Sequence, residues 1–170
     1  RDEKGELKYD KKSFIRNTKN FGLPQNRPRV YMVAFSRDYF GKHLDVLPKE
    51  TPTEGRKEIF HSVLDILGTE VSERFFLSSG LLETLEKHRA RQKSNGNGFG
   101  YRIVNDPSVA RPLAHTILAT GGSGKERNLI YDPVNGRDIA GTDVSGKKTP
   151  INEKCIRTMT PEEWGRLQGF

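Results

Sequence analysis

An α+β fold is what these 170 residues predict, and three observations predict it. Residues 29–36 form an apolar, β-branched and aromatic run of strand length, while 56–67 and 81–90 carry apolar residues at helical spacing. The intervals between them are rich in Gly, Pro, Asn and Asp, the residues of turns. The chain is long enough for one domain with a core, or for one domain and an incomplete second lobe. Its hydrophobic fraction is 33% and its mean hydropathy -0.73, lean for a self-sufficient globule and in keeping with apolar surface shared with a partner.

Taken in order, the charged stretch 1–12 reads as a loop or hairpin tip ahead of a short strand over 13–18, for which a strand preceding Arg1 is one partner. Asn20 to Phe35 then places a turn containing Gly22 and Pro24 directly before Arg27 and Arg29, followed by the apolar run, which reads as a buried strand. Pro24 and Pro28 fix their own φ and push their predecessors out of the helical region, so 23–29 is expected to be extended and stiff. Preorganised guanidinium groups suit a planar or phosphate-bearing ligand through paired hydrogen bonds. A loop leading into a strand, with ordinary surface arginines, accounts for the same pattern equally well.

Pro48, Pro52 and scattered charges over 36–55 read as a linker between lobes. Ile59, Val63 and Ile66, widened by Phe60, Leu64 and Leu67, predict a short amphipathic helix over 56–67. Leu81, Leu82, Leu85 and His88 predict a second helix to about residue 90, ending in the basic run 87–93, which is either a solvated face or a phosphate contact. The Gly- and Asn-rich stretch 94–100 is a tight turn, 101–104 a strand, and 111–131 a strand, a Gly-rich turn and a further strand. Gly121, Gly122 and Gly124 could form an anion-binding nest beside Lys125 and Arg127. It is not a nucleotide-binding P-loop, because Ala119 replaces the first glycine and Glu126 the Ser or Thr. Residues 137–140 offer a short strand, and Thr160-Pro161-Glu162-Glu163 is a helix start with N-cap, first-turn proline and capping box; Gly169 suits its end.

The net charge of +7 and pI near 9.6 favour a polyanionic partner, since clustered Lys and Arg release counterions on meeting phosphates. A single cysteine, Cys155, excludes an internal disulfide framework and a multi-cysteine zinc site, as expected in a reducing cytoplasm. His43, His61, His88 and His115 show no metal-like spacing, so no metal is assigned. No apolar stretch is long enough to span a bilayer and no signal-peptide pattern is present, so membrane partners and export are not expected. With arginine at position 1, the chain is expected to begin inside a longer polypeptide.

Phe21-Gly-Leu-Pro-Gln-Asn-Arg-Pro-Arg-Val-Tyr31 resembles the Gln-x-Arg-x-Arg motif of the bacterial DNA cytosine-5 methyltransferases, and 159–170 resembles the last motif of that family before its C-terminal segment. The two lie in the family's order and flank a long segment where it carries its target recognition domain. The resemblance implies the edge of a Rossmann-like α/β catalytic lobe plus a small mixed strand and loop recognition domain. It divides the chain into 1–40 from the catalytic lobe, 41–155 as the recognition domain, and 156–170 as a helix returning towards that lobe.

The implied reaction flips a cytosine out of duplex DNA, attacks it with a cysteine thiolate and transfers a methyl group from S-adenosylmethionine. The family's Pro-Cys, Glu-Asn-Val and glycine-rich cofactor motifs do not occur here, and Cys155, in Lys-Cys-Ile, reads as a structural cysteine. These residues are therefore expected to be inactive alone, with a missing N-terminal lobe and double-stranded DNA as partners in a bacterial cytoplasm. By resemblance, Arg29 contacts the flipped cytosine or its phosphate, with Gln25 and Arg27 in support. Thr116, Thr120, Gly121, Gly122, Lys125 and Arg127 are the expected phosphate and base contacts, and Arg166 ties the recognition region to the catalytic lobe. A non-catalytic sequence-specific DNA-binding module is the alternative; a generic basic RNA-type domain lacks any RNP-like aromatic signature.

Overall fold

The computed structural model of the chain describes residues 9–41, 50–98, 100–117 and 128–170. Strand β1 (Tyr9–Asn17) pairs antiparallel with β3 (Pro28–Ser36), in a register that sets Phe14 opposite Tyr31, Ile15 opposite Val30 and Arg16 opposite Arg29. The partner of the 13–18 segment thus lies within the chain. Between these strands come a 3-10 turn (Thr18–Phe21), Gly22 and the short strand β2 (Gln25–Asn26); the short helix α1 (Arg37–Phe40) follows β3.

The apolar run of β3 is not buried as its composition suggested. Val30 is 61% exposed and Met32 72%, and Ile15 across from them 69%, so one face of the pair stands uncovered by any described residue. Tyr31 on the other face is 55% exposed, while Phe14 is buried. Two strands cannot bury both their own faces, and the sheet holds no third strand among the described residues.

The helix expected over 56–67 forms only as a 3-10 turn, Val63–Ile66. Ahead of it the amide of Gly55 donates to the Asn20 carbonyl, and those of Ile59 and Phe60 donate to the Gly22 carbonyl, so the segment spends its donors on a distant loop. Ser62 and Asp65 then close a capping box, which buries Val63 and Ile66 and leaves Ile59 and Leu64 about half exposed. Helix α2 (Ser79–Ser94) agrees with the expected stripe and runs one turn further; Leu82 is its buried residue, against Leu77, Tyr101, Leu129 and Ile156.

The strand expected at 101–104 shrinks to one parallel bridge, Ile103 to Leu129. The flanks of the Gly-rich stretch are strands as expected, β4 (Ala114–His115) and β5 (Leu129–Tyr131), but each has a different partner. β4 runs parallel to β2, and β5 antiparallel to β6 (Ile156–Thr158). Residues 137–140 do not form a strand. Asp132 accepts from the Asn135 amide at 3.1 Å and starts the short helix α3 (Pro133–Gly136), which runs on into a 3-10 turn over Arg137–Ile139.

Helix α4 (Pro161–Leu167) has the expected start: Thr160 and Glu163 form a reciprocal capping box, and Gly169 follows in the left-handed region at φ 93°. Its Leu167 packs into a core with Val63, Ile66, Val104, Ala114, Ile130 and Met159. Beneath it lies a polar cluster that local patterns do not announce. Arg157 is fully buried; its Nε donates to Asp132 at 2.7 Å and its two terminal nitrogens to the two Glu163 oxygens at 2.8 Å each. Glu163 also accepts from the amides of Thr160 and Gly68, so each buried charge is both paired and hydrogen-bonded. Among the described residues no helix is long and apolar enough to cross a membrane.

Candidate nucleic-acid interface

Gly22 makes the turn ahead of Gln25 possible. Its φ of 81° suits a residue without Cβ, and an added Cβ would run into the Lys57 carbonyl and Glu58. The strand it releases is then strapped from both sides. Thr18 Oγ1 donates to the Gln25 carbonyl at 2.6 Å and the Thr18 amide to the Arg27 carbonyl at 3.3 Å. The Asn17 side chain accepts from the Arg27 amide at 2.9 Å and donates to Asn26 Oδ1 at 2.6 Å. The stiffness expected from the two prolines is thus reinforced by side-chain bonds from the end of β1, each contributing about 1 kcal/mol.

The guanidinium groups emerge from this strap. Arg27 is half-buried, whereas Arg29 is exposed and donates to the Pro28 carbonyl at 2.8 Å. Arg16 stands directly across the ladder from Arg29, on the same face. It donates to the carbonyls of Pro52, Thr51 and Ile15, which orient it without neutralising its charge. Like charges directly opposite each other destabilise a ladder, and an anion seated between them relieves that repulsion. Arg16 was missed because a strand before Arg1 was offered as the partner of its segment; pairing 13–18 with 29–36 would have found it.

Gln25, expected among the contacting residues, is enclosed at 1% exposure, and its Nε2 has no hydrogen-bond partner. Thr116 is half-buried, and its Oγ1 donates to the Asn26 carbonyl at 3.0 Å, joining the end of β4 to the Gln25–Arg29 segment. The parallel pairing of β2 with β4 makes the same connection through the backbone, with the Ala114 amide on the Pro24 carbonyl at 2.8 Å. Arg111, not anticipated, fastens the approach to β4 by donating to the carbonyls of His61 and Lys19 and to Glu58. Thr120, Gly121, Gly122, Lys125 and Arg127 lie outside the described residues. Arg166 sits apart from these groups on α4, where it donates to the Ile66 carbonyl at 3.1 Å.

Cys155 is buried, with φ of 52° and its thiol 3.9 Å from the Glu153 carbonyl. It borders a cleft of about 610 Å³ that none of the expected site residues line. No group of three His, Cys, Asp or Glu side chains suited to a metal occurs among the described residues. The basic strand therefore forms an open surface suited to an extended anion.

The profile of the C-5 cytosine-specific DNA methylase family matches residues 2–170. The type II methyltransferase M.HpaII of Haemophilus parainfluenzae is 39% identical over 156 residues, covering 92% of this chain and 40% of that protein. M1.ScrFI of Lactococcus lactis subsp. cremoris is 28% identical across 97% of the chain and 36% of its own length. A solved methyltransferase from Entamoeba histolytica, EhMeth, superposes with a TM-score of 0.54 at 21% identity, over 96% of this chain and 42% of that one, a likeness of fold. The chain thus spans at most about two-fifths of these relatives. With the family profile matched over nearly all of its residues, the chain belongs to the C-5 cytosine-specific DNA methylase family.

Proposed function

We propose that this chain is the DNA-binding and target-recognition part of a DNA cytosine-5 methyltransferase of a restriction-modification system. The whole enzyme transfers a methyl group from S-adenosylmethionine to a cytosine flipped out of the duplex. The observation that carries the reading is the union of the Gln25–Arg29 segment with β4 and Thr116, which supports an arginine strand at the foot of a recognition stretch. Residues 1–40 then belong to the catalytic lobe, 41–155 to the recognition domain, and 156–170 lead back towards the lobe.

In this reading Arg29 meets the flipped cytosine or its phosphate, Arg27 supports it from the half-buried base of the strand, and Gln25 orients the backbone from within. Thr116, Thr120, Gly121, Gly122, Lys125 and Arg127 serve contacts to phosphates and bases, where an arginine fork matches the O6 and N7 of guanine. The family's glycine-rich cofactor motif and its Pro-Cys nucleophile motif do not occur in this sequence. The cofactor and the cysteine nucleophile are therefore assigned to an N-terminal lobe, whose contact surface is the uncovered Ile15, Val30 and Met32 face.

Methyl transfer from labelled S-adenosylmethionine to mixed-sequence duplex DNA tests the proposal, using this chain alone and the chain extended at both ends in its native reading frame. Transfer by the extended chain only is the expected result. Transfer by neither overturns the catalytic assignment, and transfer by the short chain overturns the assignment of the nucleophile to the other lobe.

A further inference from the structure

Asn128 is fully buried, and its side chain makes both hydrogen bonds that a neighbouring strand would make to one residue. Its Oδ1 accepts from the His115 amide at 2.7 Å and its Nδ2 donates to the His115 carbonyl at 3.1 Å. His115 is the β4 residue paired with Asn26, and the next residue, Thr116, donates to the Asn26 carbonyl. His115 and Asn128, which flank the interval 116–127, are therefore joined to each other, and His115 is paired with the backbone of Asn26. Asn105 makes the same two bonds to Tyr131, at 2.9 Å from the Tyr131 amide and 2.8 Å to its carbonyl, but away from the arginine strand. The molecule thus contains a matched internal control.

We propose that Asn128 is a positioning residue for target selectivity: through His115 it sets the base of the recognition stretch in register with the Gln25–Arg29 strand. The inference rests on the methyltransferase reading. It follows from rigidity rather than contact. A buried side chain fixes where His115 and Thr116 sit relative to Asn26, so its loss loosens that alignment. Positioning over such a link discriminates between sites because the wrong base pair is rejected only when neighbouring contacts cannot shift to accommodate it.

The test uses the full-length enzyme with plasmid DNA of mixed sequence, methylated positions being read by bisulfite sequencing. Selectivity is the methylation rate at the preferred site divided by that at sites differing by one base. Asn128→Ala is expected to lower selectivity about tenfold and raise the KM for DNA, leaving the KM for the methyl donor as it was. Asn105→Ala, which removes an equivalent pair of bonds, is expected to lower the melting temperature similarly and keep the wild-type selectivity. Asn128→Ser, uncharged and retaining a hydroxyl, is the milder variant and is expected to fall between wild type and Asn128→Ala. If Asn128→Ala does not fold, the Asn128→Ser enzyme decides. Unchanged selectivity in the folded Asn128 variants, or an equal fall in Asn105→Ala, overturns the inference while leaving the methyltransferase reading intact. A wild-type enzyme that transfers no methyl group overturns both.

Discussion

Between Asn128 and Leu167 the chain is closely packed: Ile130, Ile151 and Leu167 are fully buried, and all three guanidinium nitrogens of Arg157 find acceptors. Along β1 and β3 the opposite holds, with Ile15, Val30 and Met32 each more than 60% exposed although their register is regular. The first region has its polar groups satisfied within the chain, by Gly68 and His115 as well as by its own residues. The second has the hydrogen bonds of a sheet without a layer to cover it, which is how a piece of a larger core looks when its other layer belongs elsewhere. The closed region therefore holds the frame, and the open one carries Arg16 and Arg29 on one face and the uncovered Ile15, Val30 and Met32 on the other.

The comparison breaks most severely if the ionic cluster is opened. Arg157→Ala leaves Asp132 and Glu163 buried without their cation, and a loss of about 3–5 kcal/mol is expected in urea unfolding. A loss below about 1 kcal/mol would show that the closed region does not depend on it. Gly136→Ala is expected to cost about 1–3 kcal/mol in the same measurement, because the added Cβ would sit 2.5 Å from a Phe76 ring carbon and 2.9 Å from Cys155 Cβ.

Acid acts more gently on the same cluster. Burial pushes the Asp132 carboxyl upward, but the Asn135 amide and the Arg157 guanidinium outweigh it and hold the group below the usual carboxylate range. A depressed carboxylate contributes stability that is fully present above its unfolded pKa of about 3.9 and disappears as pH falls through the lower folded value. Unfolding midpoints should therefore be flat near neutrality and decline below about pH 4, and Asp132→Asn should remove this part of the decline. The smallest effect on the isolated chain is expected from Met32→Lys, within about 0.5 kcal/mol, since the side chain already meets water. In the extended chain the same change should destabilise more, and equal effects in both would argue against a covering lobe.

What could be read from the sequence was what neighbouring residues decide among themselves. The capping box of Thr160 and Glu163, the stripe of α2 and the span of β3 are all set within a few residues, and each formed as expected. The helix over 56–67 failed because Gly22, more than 30 residues away, accepts the amide protons of Ile59 and Phe60. Arg157, Arg16 and Asn128 escaped notice for the same reason: each takes its meaning from a partner that spacing along the chain does not reveal. Burial of β3 was misjudged because composition shows that a strand is apolar but not whether a second layer packs on it; among the described residues β1 is its one strand neighbour.

The bond from Thr116 to Asn26 joins residues 90 positions apart. On a ribosome adding about 5–20 residues per second, the arginine strand leaves the exit tunnel several seconds before its β4 partner is made. The long loop adds an entropic cost to closure that local structure does not repay until both ends meet. The interface is therefore expected to be among the last parts of the molecule to assemble, so that a nascent or truncated chain ending before Ala114 carries the arginines without the alignment that would make them selective.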